Sequence, residues 1–265
     1  MGYDIIMADT ACIKINNITK TYHSGNENLL VISDFSLEIN KGEFVSILGK
    51  SGSGKSTFLR CVGGFEQIDS GSIYINDYQI TQPGIHAAMV FQDFNQIFPW
   101  KTVYENVCYP VRINHKEKQD NELKEHVDYY LNLVGLSGFA NYFPHQLSGG
   151  MKQRVAIARS LALEPSVILM DEPFASLDAD TRNVLRRELL NIWSRVENNV
   201  TILFVTHNIH EAISVGTKFL TVISPTDIRY FDNKVEGEPG IAKSPENKGF
   251  NECWSQLNNI IRGNL

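Results

Sequence analysis

Phe44-Val45-Ser46-Ile47-Leu48-Gly49-Lys50-Ser51-Gly52-Ser53-Gly54-Lys55-Ser56-Thr57 decides the architecture. A short apolar run enters a glycine-rich turn, and residues 56–62 continue with helical spacing, so the stretch reads as strand, loop and helix. Glycine, four residues, glycine, lysine and a hydroxyl residue in that setting form a phosphate-binding loop. Gly49, Gly52 and Gly54 let backbone N–H groups turn inward, and the helix presents its positive end to the same point. Lys55 is placed to reach the β- and γ-phosphates of a nucleoside triphosphate and Ser56 to ligate Mg²⁺, while Ser51, Ser53 and Thr57 complete the nucleotide-binding set. The loop names a triphosphate and leaves open what its energy drives, because kinases, GTPases and many ATPases share it.

Outward from the loop, residues 167–170 and 201–205 are continuous apolar runs suited to parallel strands covered on both faces. Leu185, Leu189, Ile192, Trp193 and Val196 mark one face of a helix crossing between them. Ile13, Ile15 and Ile18, then Phe35, Leu37 and Ile39 at period two, flank a polar loop around 24–28, which predicts an antiparallel β layer. From about 102 to 162 strand signals vanish and helical spacing takes over, as at Leu123, Val127, Tyr130, Leu131 and Val134. The fold class is therefore α/β: a mostly parallel sheet core, an antiparallel β layer and an inserted α-helical subdomain. After Ser224 the pattern weakens, residues 236–249 are rich in glycine, proline and charge, and Trp254, Leu257, Ile260 and Ile261 mark a last amphipathic helix that pairs subunits or closes the core.

The run 167–170 ends in two carboxylates, Asp171 and Glu172, a costly arrangement inside a core unless a cation or ligand compensates. Asp171 is placed to hold Mg²⁺ and Glu172 to polarise an attacking water; the alternative is that either one caps the following loop. His207 follows the run 201–205 at the carboxyl edge of the sheet, where it either donates a hydrogen bond to a γ-phosphate or simply caps and packs. Gln92, after the run 88–91, is able to reach Mg²⁺ or water, and is otherwise a loop glutamine. Tyr22 is either a platform for stacking on adenine or an exposed aromatic of the β layer.

The chain has 265 residues, 43% hydrophobic and 20% charged, and a formal charge of −6, so it lacks the basic field that would hold nucleic acid. No apolar run reaches the ~18–20 residues that cross a bilayer. The N-terminal residues show no basic segment followed by an apolar stretch, and the chain is expected on the cytoplasmic side. Cys12, Cys61, Cys108 and Cys253 are scattered, as reduced and mostly buried thiols are.

Leu147-Ser148-Gly149-Gly150-Met151-Lys152-Gln153-Arg154 adds what the loop lacks. Ser148 and the N–H groups of Gly149 and Gly150 open a helix expected over 151–163, which makes a second anion-binding point. Taken in order with the loop, Gln92, Asp171-Glu172, Ser176-Leu177-Asp178 and His207, this stretch resembles the nucleotide-binding subunits of ATP-binding cassette transporters over residues 13–224. The resemblance implies a P-loop NTPase (RecA-like) core within a cassette domain at 11–232, with its helical subdomain at 93–163 and a C-terminal extension at 233–265. It implies ATP and Mg²⁺ as ligands, and Glu172, His207, Gln92 and Lys55 as catalytic residues. Ser148, Gly149, Gly150, Gln153 and Asp178 would meet the nucleotide held by a second cassette in a head-to-tail pair. The implied partners are that second subunit, an integral membrane permease and an extracytoplasmic solute-binding protein, with the chain at the cytoplasmic face of the cell membrane.

Pro99-Trp100 is similar to the importers of nitrate, sulfonate and taurine, and His145-Gln146 and Pro173-Phe174-Ala175-Ser176-Leu177-Asp178 resemble importers in general, although Asp93-Phe94-Asn95-Gln96 is more polar than the first group leads one to expect. Trp100 either meets a helix of the membrane subunit or anchors the helical subdomain. A cassette ATPase acting on a macromolecular complex is the alternative function, against which stand the single cassette and the lack of a long coiled-coil insertion.

Overall fold

Three strands with no exposed residue form the centre of the molecule: β3 (Phe44–Gly49), β7 (Val167–Asp171) and β8 (Thr201–Val205). The structure is a computed structural model and describes residues 11–25, 27–91, 96–175, 177–196, 200–237 and 241–263. With β6 (Ala87–Val90), β9 (Lys218–Ser224) and β10 (Asp227–Asp232) these strands make a six-stranded sheet in the order β10-β9-β3-β8-β7-β6. All its pairings are parallel except β9 with β10. Ile47 lies opposite Val205, and Val205 opposite Asp171, so the carboxyl ends of β3, β8 and β7 are level.

Period-two alternation sends Phe44, Met170 and Phe204 to one face and Val45, Ile47, Leu169 and Val205 to the other. The second face packs on α1 (Lys55–Val62) and on a four-stranded antiparallel sheet, order β2-β1-β4-β5, formed by β1 (Ala11–Ser24), β2 (Glu27–Asn40), β4 (Ser70–Ile75) and β5 (Tyr78–Gln79). The first face packs on α4 (Gly149–Leu161) and α5 (Ala179–Arg195), and its core runs on into α2 (Val103–Asn114) and α3 (Asp120–Leu133). Thr102 and Glu105 fix the start of α2 reciprocally: the Glu105 N–H donates to Thr102 Oγ1 at 3.2 Å, and the Thr102 N–H to Glu105 Oε2 at 2.7 Å.

Several expectations shift. Ser24 pairs directly with Glu27, so the polar loop is a tight turn rather than a five-residue connection. The helix that carries the 147–154 signature starts at Gly149 and ends at Leu161, about two residues ahead of its expected span. Beyond Ser224 the chain returns as β10 instead of losing regular structure. The last helix, α7 (Phe250–Arg262), buries Phe250, Leu257 and Ile260, the first two in a core shared with Leu48, Ile213 and Phe219, so it closes the fold against α6 (Ile209–Val215) and β9. Cys12, Cys61 and Cys108 are buried and unbridged, and burial pushes the Cys61 thiol up to about 12. Among the described residues no helix is long and apolar enough to cross a membrane.

Candidate functional site

The level ends of β3, β8 and β7 bring three segments together around an open cleft of about 460 Å³. The phosphate loop follows β3, Glu172 follows β7, and His207 lies two residues past β8; all three segments line the cleft, with Tyr22 and Val31 from the antiparallel sheet. In the loop, Gly52 and Gly54 have φ of +77° and +99°, which L side chains rarely adopt. A Cβ on Gly54 would run into Val31 Cγ1, and one on Gly49 into the Val222 carbonyl, so the backbone is pressed against its supports.

Lys55 is 6% exposed and donates to the carbonyls of Gly49 and Lys50 at 3.0 and 2.8 Å. Burial lowers its pKa, and the nearby carboxylates of Glu172 and Asp171 oppose that shift. Ser56 Oγ donates to Asp171 Oδ1 at 2.8 Å. Burial raises the Asp171 carboxyl above its ordinary value, and the Ser56 hydrogen bond and Arg60 work against the rise. Ser53 Oγ is shielded from water and has no hydrogen-bond partner among the described residues. A loop with a desolvated cation, an orphaned hydroxyl and inward N–H groups is prepared for an oxyanion.

Glu172 carries a feature that motif reading misses: its φ is +46°, left-handed for a non-glycine residue, with its N–H donating to the Val205 carbonyl at 3.1 Å. Such backbone strain gathers at functional sites. Its Oε2 lies 3.0 Å from His207 Nδ1. With the proton on Nδ1 the histidine orients the carboxylate, and donation to a phosphate from Nε2 as well requires the imidazolium. Tyr22 lies at the cleft's edge with its hydroxyl 3.4 Å from Thr57 Oγ1, and the Lys20 ammonium sits 4.8 Å from its ring centroid.

The signature residues are elsewhere. Ser148 caps α4, its Oγ accepting the Met151 N–H at 3.3 Å, and neither Ser148 nor Gly149 and Gly150 line the cleft. Asp178 caps α5 by accepting the Thr181 N–H at 2.9 Å, which holds its carboxyl below the ordinary value; the capping considered for Asp171 and Glu172 is done here. Gln153, expected at the nucleotide of a second chain, faces inward from α4 in this chain, wholly buried, and neither amide atom has a partner among the described residues. Gln92 and Ser176 lie outside the described residues.

The profile of the family described as ABC transporter matches residues 32–175, more than half of the chain. The chain belongs to the ABC transporter family. It is 41% identical over 210 residues to the nitrate import ATP-binding protein NrtD of Synechococcus elongatus, covering 79% of this chain and 76% of that one. It is 38% identical over 254 residues to the aliphatic sulfonates import ATP-binding protein SsuB of Bacillus cereus, covering 96% and 97%. Among solved structures, a dimeric ATP-binding cassette in a post-hydrolysis state with ADP and Pi superposes with a TM-score of 0.71 at 34% identity, over 85% of this chain and 100% of that one. As an ABC cassette with this loop, the chain is an ATP-binding ATPase.

Proposed function

We propose that this ABC protein powers import of a small solute by working as a head-to-tail pair beneath a separate membrane permease, at the cytoplasmic face of the cell membrane. The observation that carries this reading is a separation: the 49–57 loop, Glu172 and His207 share one cleft, while exposed Ser148 and Asp178 lie outside it. A signature turned away from its own chain's cleft is available to a second chain, and the two-fold symmetry of such a pair completes both sites together. Two solved cassettes of similar fold are dimeric, which supports a pair.

Within the pair, hydrolysis is phosphoryl transfer to water, in which positioning and charge stabilisation carry most of the rate. Lys55 exchanges the Gly49 and Lys50 carbonyls for phosphate oxygens. Glu172 accepts the proton of the attacking water, and His207 holds the Glu172 carboxylate in place at 3.0 Å. Mg²⁺ fits the site, because Ser56 and the buried Asp171 carboxylate already meet there as hard oxygen donors, and Asp171 has no ion pair among the described residues. These two would hold the ion, with Gln92 a third candidate; Mg²⁺ supplies neutralisation of the phosphate charge when bound.

The cargo reading rests on the relatives that are import proteins for nitrate and aliphatic sulfonates, and it brings a solute-binding protein as a further partner. For the permease, an aromatic surface stands ready on the helical side. Trp100 is 70% exposed and leans on Phe98 at 5.5 Å, which in turn meets Tyr109 edge-on at 5.2 Å.

Size-exclusion chromatography with ATP tests the pair. Glu172→Gln protein should bind ATP, turn over at least ~100-fold more slowly and elute as a dimer, and adding Ser148→Arg should return it to a monomer that still binds ATP. Unchanged turnover removes Glu172 as the base, and loss of ATP from the Ser148→Arg monomer refutes the opposed sites.

A further inference from the structure

A second cavity, of about 440 Å³, opens between α5, the first turn of α6 and the C-terminal segment at 243–250. Four fixed cations line it, Arg182, Arg186, Arg187 and Lys243, against one carboxylate, Glu211. This local excess stands against a net charge of −6 for the chain.

The one carboxylate is already committed. Glu211 Oε2 accepts the Thr206 hydroxyl at 2.6 Å, and its Oε1 lies 3.5 Å from Arg182 Nε. Arg182 also donates to the Leu177 carbonyl at 3.0 Å. Lys243 reaches the Gly216 carbonyl at 3.3 Å, a long contact, and Arg187 is exposed and has no ion pair among the described residues. Arg186 is the telling residue: half-buried, its Nε shielded from water, it makes no hydrogen bond or ion pair among the described residues. Burial lowers the pKa of both Arg186 and Lys243, with the nearby Glu211 carboxylate opposing the fall at Arg186. Desolvated cations without partners cost stability, and a guanidinium fork matches two oxygens of one anion.

We propose that this cavity binds a small oxyanion of the phosphate, sulfonate or nitrate type, seated on Arg186 and Lys243 with Arg187 at the mouth. The site shares a wall with the loop that carries His207. Asn208 lines the cavity, and its N–H donates at 3.0 Å to the same Thr206 hydroxyl that holds Glu211. The occupant is therefore one residue from the histidine that orients Glu172. Two sources supply such an anion, the phosphate released by hydrolysis and an oxyanion solute, and the test separates them.

Thermal unfolding of the full chain is measured in a Lys55→Ala background, which disables the phosphate loop. Sodium phosphate, methanesulfonate and nitrate are titrated against chloride at matched ionic strength. At least one should raise the melting temperature by about 2–4 °C at tenfold excess over its Kd, and Arg186→Gln with Lys243→Gln should abolish the rise. A largest response to phosphate marks a product site, and one to methanesulfonate or nitrate a cargo site; either supports the proposal. Arg187→Gln, at an exposed position, is the milder variant and should weaken the response without touching the fold. Without anion, Arg186→Gln should leave the melting temperature equal or higher, because it removes an unpaired charge. No response beyond chloride, a response that survives the double change, or a fold that collapses on Arg186→Gln overturns the site.

Discussion

Helices α1 and α4 both begin beside serines and glycines, yet their first turns are completed differently. The N-cap of α1 is Gly54, with no side-chain hydrogen bond, and around it lie a 6% exposed lysine, a partnerless Ser53 hydroxyl and the Ser56–Asp171 contact. The N-cap of α4 is Ser148, whose own hydroxyl satisfies the Met151 N–H. Every helix starts with donors that its own ladder leaves unused. In α1 those donors are left for a ligand among desolvated groups that need one; in α4 one is satisfied internally and the serine stands exposed. On the proposed pairing, the first end is a binding site that is expensive to leave empty, and the second is a stable surface that becomes a site only against another molecule.

The sharpest way to break this contrast is at Lys55. Lys55→Ala removes charge-assisted contacts to the phosphates worth ~1.5–3 kcal/mol each, so ATP affinity measured by calorimetry should fall at least ~10-fold; an unchanged affinity would show that the loop binds through its backbone alone. Next comes Ser148→Ala, which removes the cap and should cost ~1 kcal/mol of stability in denaturant titrations with monomer ATP affinity unchanged. Equal losses of ATP affinity from the two variants would erase the distinction between the helix ends. Smallest is Asp171→Asn. The raised pKa means that the folded state resists ionisation, so stability is lost as pH rises from the ordinary aspartate value of 3.8 through the raised one. Asparagine keeps an acceptor for Ser56 without that charge. Nucleotide-free Asp171→Asn protein should therefore melt slightly higher at neutral pH, with a flatter pH profile, while losing metal-dependent turnover.

The same contrast explains which parts of the molecule were legible beforehand. β3, β7 and β8 are buried on both faces, which writes uninterrupted apolar runs, and the loop after β3 uses glycines that nothing else replaces. β4 and β5 were not anticipated, because Ser70-Gly71-Ser72 and a two-residue edge strand carry little apolar signal. β10 mixes half-exposed polar, aliphatic and aromatic residues at a sheet edge without a clean alternation, so its pairing with β9 depends on the fold around it. Residue types singled out Lys55, Ser56, Asp171, Glu172 and His207, which the fold brings together, but not their mutual distances. The inward turn of Gln153 and the cations around Arg186 were not anticipated either, since both depend on which helix face meets which neighbour.

Glu172 stands where backbone and chemistry ask for different residues. A φ of +46° is most easily taken by glycine or asparagine, neither of which accepts a proton from water. Replacements that relax the chain at this position therefore also silence the proposed base. If Glu172 is the base, loss of activity runs downhill in folding energy here, and a cassette that keeps its shape while ceasing to hydrolyse is a single substitution away.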